Sequence, residues 1–454
     1  MRAPFLQLFA FCTLIQLGWA AMFQRAGVPF KAPVTVAPGF SANVIFSGLT
    51  NPRGITFDSR QNLLVVEHGV GVTAFSQVNG GWERTIVVQN PDLNQGIQVD
   101  GNTLYVSSPS EMLAFRYNPV SKTVVGGGVA IVTGLPPDGE LTTHTLQLEK
   151  NSAGRTVAVL IGTGPKTNID PTARNPASGR SEIRRFQISG ISQAPQVWTS
   201  GRVIADGLRN PTGFAFPPPA TGIATARAQT LAIVENGAAI DNVTGISAAF
   251  ANDNPAHEFN VATFPLPGAN GALPNTNAQT FGFPDCASLW NPNADPTTDR
   301  QFVNRARGFQ FSLELDSARG DDFCQQVANN VPPVLNFQAH SAPLDIKFFD
   351  PSTLGNAKRN GFPAQFNGNA FVSFHGSADR SPPTGYGVVR VPFPLNQQFG
   401  GGLGYSFIVQ ATDLTGCPTN CNAIRPVGLA FGDDGRLFVS SDATGELFFV
   451  QKGQ

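Results

Sequence analysis

The chain has 454 residues, and its 30 basic and 31 acidic side chains leave a formal net charge of −1. A near-neutral balance with only 13% charged residues excludes the basic footprint that nucleic acid or an anionic membrane surface requires. The 48 glycines and 36 prolines suit an all-β chain in which many turns join short strands.

Residues 1–21 carry one positive charge (Arg2), an apolar run from Pro4 to Leu17, and small residues at Gly18, Ala20 and Ala21. This pattern predicts a secretory signal peptide, with residues 22–454 as the mature, soluble and extracellular chain. No other stretch is apolar for long enough to span a bilayer. The segment 40–49 reads as a strand ahead of the first full repeat, able to complete the last blade of a closed ring and cover its edge.

A unit of strand, turn, strand, turn, strand then recurs. It begins at Asn51-Pro-Arg-Gly-Ile-Thr-Phe-Asp58, Leu93-Asn-Gln-Gly-Ile-Gln-Val-Asp100, Thr142-Thr-His-Thr-Leu-Gln-Leu148, Leu208-Arg-Asn-Pro-Thr-Gly-Phe-Ala-Phe216, His340-Ser-Ala-Pro-Leu-Asp-Ile-Lys-Phe-Phe349 and Arg425-Pro-Val-Gly-Leu-Ala-Phe431. Such a unit cannot bury its own face, so six copies predict a six-bladed β-propeller with its functional loops on one face. A two-sheet sandwich would not repeat this signature. Between residues 251 and 330 the pattern dissolves into Asn, Pro, Gly and Asp. That stretch is expected to be a long loop-rich insertion between blades four and five.

Four cysteines remain once Cys12 leaves with the signal peptide, an even number suited to disulfides in an oxidising compartment. Cys417 and Cys421 are expected to pair locally, leaving Cys286 and Cys324 to close the insertion. A thiolate metal site lacks the required spacing, and the absence of Cys-x-x-Cys-His excludes c-type haem on this chain. Asn242-Val-Thr is the one glycosylation sequon.

Polar residues gather where strands begin: Arg53, Arg209 with Asn210, Glu235-Asn-Gly237, Asn254 to Asn260, His340, His375 to Arg380, and Arg425. Arginines in register on several blades would converge on the axis, where they suit a planar, multiply anionic ligand.

Gly207-Leu-Arg-Asn-Pro-Thr-Gly213, Glu235-Asn-Gly237, Asn254-Pro-Ala-His-Glu-Phe-Asn260, Phe281-Gly-Phe-Pro-Asp-Cys286, His340-Ser-Ala-Pro343, His375-Gly-Ser-Ala-Asp-Arg380 and Arg425-Pro-Val-Gly428 together resemble the glucose/sorbosone dehydrogenase propellers. They are most similar to the fungal pyranose dehydrogenase group, which uses pyrroloquinoline quinone. The resemblance runs from about residue 40 to the end. It implies a quinone at the mouth of the ring, a calcium ion on its polar edge, and oxidation of the C1 hydroxyl of an aldose or pyranose. Electrons would pass to an external acceptor, a cytochrome or a quinone, and the protein is expected to be a monomer. By the same resemblance Arg53, Arg209, Asn210, Arg380 and Arg425 would face the quinone. Gly237 and Ala238 would lend carbonyls to calcium, with Glu258 and Asn260 orienting that loop.

Three positions depart from the family pattern. Leu141 stands where the family has the histidine base, with His144 at the arginine position. Gln95 replaces a common histidine, and Ala378 a tryptophan. Leucine cannot take a proton, and general-base catalysis contributes about 10²–10⁴ in rate. Either His144, His340 or His375 assumes the base role, or the chain is a propeller that lost turnover and serves as a carbohydrate-binding or interaction module.

Overall fold

The computed structural model describes residues 22–25, 27–223, 228–268, 271–355, 361–393, 395, 402–417, 419 and 421–453. The signal peptide expected at residues 1–21 lies outside them. Six antiparallel sheets follow one another around a ring, as the repeats predict. Blade one comprises Pro52–Phe57, Leu63–Glu67, Gly71–Val78 and Gly81–Gln89, and blade two Ile97–Asp100, Thr103–Ser107, Glu111–Asn118 and Thr123–Thr133. Blade three holds Leu146–Lys150, Thr156–Thr163, Glu182–Gln187 and Arg202–Asp206; blade four holds Pro211–Ala215, Ala228–Glu235, His257–Pro265 and Leu335–Phe337. Blade five comprises Pro343–Phe348, Ala370–Phe374, Gly387–Val391 and Ser406–Ala411.

Blade six is built from both ends of the chain. Pro426–Phe431, Leu437–Ser441 and Glu446–Lys452 are joined by Phe40–Ser47, which pairs antiparallel with the last strand from Phe40↔Lys452 to Ser47↔Glu446. The three-strand repeat read from sequence gains a fourth strand in every blade, and Met22–Arg25, Gln196–Val197, Gln279–Thr280 and Val34–Val36 add a further edge strand to blades one, two, three and five. The insertion leaves from the third strand of blade four and returns as its outer strand. It carries a hairpin of Cys286–Ser288 with Gln310–Ser312 and is closed by the Cys286–Cys324 disulfide; Cys417 pairs with Cys421. Among the described residues no helix is long and apolar enough to cross a membrane.

The core lies between blades rather than at the axis. Leu64, Val66 and Val72 of blade one meet Ile97, Leu104 and Val106 of blade two, and equivalent layers follow around the ring. Near the axis the innermost strands approach too closely for side chains, and this explains the glycine of the repeat signature. A Cβ on Gly428 would lie 2.5 Å from the Arg53 carbonyl oxygen, and one on Gly54 would strike the Gln95 carbonyl. Hydroxyls tie the inner strands together. Ser440 donates to the Arg53 carbonyl (2.6 Å), Ser107 to His144 (2.7 Å), Thr212 to Pro343 (2.6 Å) and Ser373 to Val427 (2.6 Å). Each contributes about 1 kcal/mol and fixes how strand ends meet around the axis.

Candidate active site

Those strand ends enclose a cavity of about 340 Å³ on the axis. Its wall takes Arg53 from blade one, Leu141 to Thr143 from the entry to blade three, and Arg209 with Asn210 from the entry to blade four. Asn236, Gly237, His257, His340 and His375 also line it, as do the carboxylates Glu140 and Asp379. The volume falls within the range of small-molecule sites, roughly 300–1,000 Å³.

His375 follows the second strand of blade five, and Asp442 follows the second strand of blade six. The geometry of neighbouring blades brings them together: His375 Nε2 lies 3.0 and 3.1 Å from the two Asp442 carboxylate oxygens. The carboxylate accepts, so Nε2 carries the hydrogen and Nδ1 keeps its lone pair. Arg53 Nη1 donates to Asp442 Oδ2 at 2.6 Å while its Nε donates to Gln95 (3.0 Å). Burial works to raise the Asp442 pKa, but His375, Arg53 and Arg425 outweigh it and hold the carboxyl well below the usual range. Burial lowers the pKa of His375, while Asp442 opposes that shift. The result is an imidazole that is neutral at pH 7, oriented, and backed by an anion able to stabilise its protonated form. Asp442 was missed in the sequence, where Asp442-Ala-Thr-Gly445 reads as a turn; its repeat position, one residue beyond a second strand, is the same one His375 occupies on blade five.

The other histidines divide. His340 Nε2 donates to the Ala251 carbonyl at 2.9 Å, and the residue sits at φ 62°, a left-handed conformation that non-glycine residues rarely adopt. His257, which the sequence reading quoted without a role, receives the Ala342 N–H on Nδ1 (3.2 Å). Its Nε2–H is therefore a donor at the cavity wall, and burial, then His340 and Arg209, keep it uncharged. His144 is absent from the wall. Its ring nitrogens lie 3.1 Å from the Gly162 carbonyl and 3.0 Å from the Pro109 carbonyl, so both are closed off. An extended segment turns it away from Leu141, which does line the cavity.

The arginines converge less than the sequence suggests. Arg209 lines the cavity: its Nε and Nη2 donate to Asn168 (3.2 and 3.0 Å), and its Nη1 has no hydrogen bond to any described residue. Burial pulls it down to about 10, so it stays charged at neutral pH. Arg53 also lines the wall but is held by Asp442. Arg380 does not reach the cavity, because Asp253 and the Pro382 carbonyl hold it at the rim. Arg425 is likewise no wall residue; it donates to the His375 and Gly376 carbonyls and lies over the Tyr386 ring. Its place is behind His375, fixing that residue's backbone.

Beside the cavity, Gly237, Ala238, Glu235 and Glu258 bound a chamber of about 20 Å³. Glu235 and Glu258 are cross-strand partners, and Glu258 accepts from the Ser288 hydroxyl (2.5 Å) and the Asn260 amide (3.0 Å). Glu235 Oε2, Asn236 Oδ1 and Asn260 Oδ1 are buried without a partner. Every one of these orphans is an oxygen acceptor, which is the donor set a hard cation seeks. Among the described residues no three His, Cys, Asp or Glu side chains form a metal cage, so such an ion would lean on carbonyl and amide oxygens.

The profile described as TrAA12-like matches residues 34–453. The pyrroloquinoline quinone-dependent sugar dehydrogenase of Hypocrea jecorina (strain QM6a) is 33% identical over 468 residues, spanning 100% of this chain and 96% of that protein. The pyrroloquinoline quinone-dependent pyranose dehydrogenase of Coprinopsis cinerea is 32% identical over 445 residues and 92% of this chain, which spans about half (54%) of that protein. The calcium structure of the Trichoderma reesei family AA12 enzyme superposes with a TM-score of 0.77 at 33% identity, over 95% of this chain and 99% of that one. The holo form of the Coprinopsis cinerea pyranose dehydrogenase PQQ domain gives 0.75 at 30% identity, over 93% and 97%. This chain belongs to the TrAA12-like family.

Proposed function

We propose that the chain is a secreted pyrroloquinoline quinone-dependent sugar dehydrogenase that oxidises the C1 hydroxyl of a pyranose, with calcium beside the quinone. The observation that carries this reading is the His375–Asp442 pair, which provides a proton acceptor on the wall of the axial cavity. Arg209 Nη1, the Asn210 amide and the His257 Nε2–H are donors suited to a planar tricarboxylate quinone. The Gly237 and Ala238 carbonyls, with the unpartnered oxygens of Asn236 and Glu235 nearby, suit calcium. When bound, the quinone would supply a two-electron acceptor for the sugar C1.

The chain's own residues handle the proton. His375 Nδ1 takes it from the C1 hydroxyl as the hydride leaves. Asp442 stabilises the imidazolium and holds Nε2–H in place, and Arg53 holds Asp442. Leu141 then needs no proton chemistry; it is an apolar wall that keeps water away from the reacting carbon. An external acceptor removes the electrons, and the two disulfides accord with an oxidising compartment.

Titration of the purified chain with pyrroloquinoline quinone and calcium tests the reading. Saturable binding of both, followed by bleaching of a redox dye on addition of an aldose, is expected. Failure to bind the quinone would leave the carbohydrate-binding alternative.

A further inference from the structure

A second cleft, of about 210 Å³, opens at the top edge of blade three, away from the axial cavity. Its base is formed by Glu182 and Asp206, paired across the third and outer strands. One wall is Arg174; the other is Arg319 and Phe323 from the insertion, held down by the neighbouring Cys324 disulfide. The axial cavity lies on the far side of a single segment, since Gly207 lines this cleft while Arg209, two residues on, lines the other.

The charges of the cleft are already matched. Arg174 grips the buried carboxylate of Asp285 at 2.5 Å, and Arg319 reaches the same group at 2.8 Å and Asp316 at 3.6 Å. Arg180, also on the wall, is paired with Asp138. An anionic ligand would therefore find no unneutralised cation. A cation fares no better: the buried Glu182 is already ion-paired with Arg184 at 2.5 Å, and burial raises both Glu182, to about 7, and Asp206. What remains is a set of hydrogen-bond donors and acceptors close to an aromatic face. Glu182 Oε2 has no hydrogen-bond partner among the described residues, and Arg319 stacks on the Phe323 ring at 5.1 Å.

We propose that this cleft binds one pyranose unit of a neutral saccharide. Vicinal hydroxyls would donate to Glu182 Oε2 and Asp206 and accept from the guanidinium edges, while C–H groups of the ring pack against the part of Phe323 that Arg319 leaves open. The volume suits one sugar ring, not two. This site stands apart from the quinone reading, and its test uses the chain without cofactor, so the two can fail separately.

Cellobiose and maltose at millimolar concentration serve as probes, with saturation-transfer NMR on wild type, Asp206→Ala and Phe323→Ala. Wild type should show saturable binding. Each variant should weaken it at least tenfold while retaining the wild-type melting temperature and quinone affinity. Two variants guard against loss of fold in either one. Undiminished binding in both folded variants would place the sugar elsewhere and overturn the proposal, as would absence of binding of both sugars to wild type.

Discussion

The corner where blades five and six meet holds a partly buried histidine, His375, and the corner where blades two and three meet a buried one, His144; desolvation lowers the pKa of both. They differ in what faces the ring. His375 has a carboxylate on one nitrogen and leaves the other free beside the cavity, whereas His144 is closed by a backbone carbonyl on each nitrogen. The first arrangement can accept a proton and stabilise the charge that results. The second can only join two blades. A histidine's sequence distance from the usual base position is therefore a poor guide to its chemistry; the partner of its second nitrogen decides.

The largest expected effect comes from removing the strand that closes the blade carrying Asp442. Deleting residues up to Ser47 unpairs Glu446–Lys452 and exposes two sheet edges. Loss of the cooperative melt, or aggregation in sedimentation, is expected; a monomer with an unchanged melting temperature would refute the closure.

Asp442→Asn sharpens the comparison at its active corner. It should lower kcat by about 10²–10⁴, because an amide can present the wrong tautomer to His375 and cannot balance imidazolium charge. The sign of the pH effect is fixed: Asp442 raises the His375 pKa, so removing it should move the acid limb of kcat/KM to lower pH. A limb that stays in place would mean another group is titrating.

Next in size is Arg209→Leu, which should weaken quinone binding by about 2–4 kcal/mol, since an anionic group loses a charge-assisted donor. Calorimetry reads this directly, and unchanged affinity would remove Arg209 from the quinone site. The smallest effect belongs to the other corner. His144→Asn should cost about 1–2 kcal/mol of stability through lost inter-blade bonds, visible in denaturant melts, with turnover kept within a few-fold. A loss of turnover comparable to that of Asp442→Asn would erase the distinction between the corners.

The repeat was legible because its cause is local. Glycine at the inner-strand approach and the Asp-Gly turns recur wherever the geometry recurs, so six copies and the closing strand could be read directly. The fourth strands of blades one to five were not, because their sequences do not repeat the signature of the inner strands. Around the cavity, Arg209 and Asn210 precede the first strand of blade four and Gly237 follows its second, so motifs at strand ends put these residues on the wall. Asp442 could not be read in this way, because its role arises only when blade six meets blade five and the chain separation is 67 residues. Arg380 and Arg425 are taken up by Asp253 and by the His375 and Gly376 carbonyls, contacts that arise only where separate segments of the chain meet.

The account rests on His375 as the proton acceptor, and the most direct measurement is single-turnover sugar oxidation by quinone- and calcium-loaded His375→Ala and His144→Ala, with quinone affinity measured in each. His375→Ala should bind the quinone as wild type does and oxidise the sugar about 10²–10⁴ times more slowly, while His144→Ala stays within tenfold of wild type. Brisk oxidation by His375→Ala, or the larger loss in His144→Ala, would contradict it.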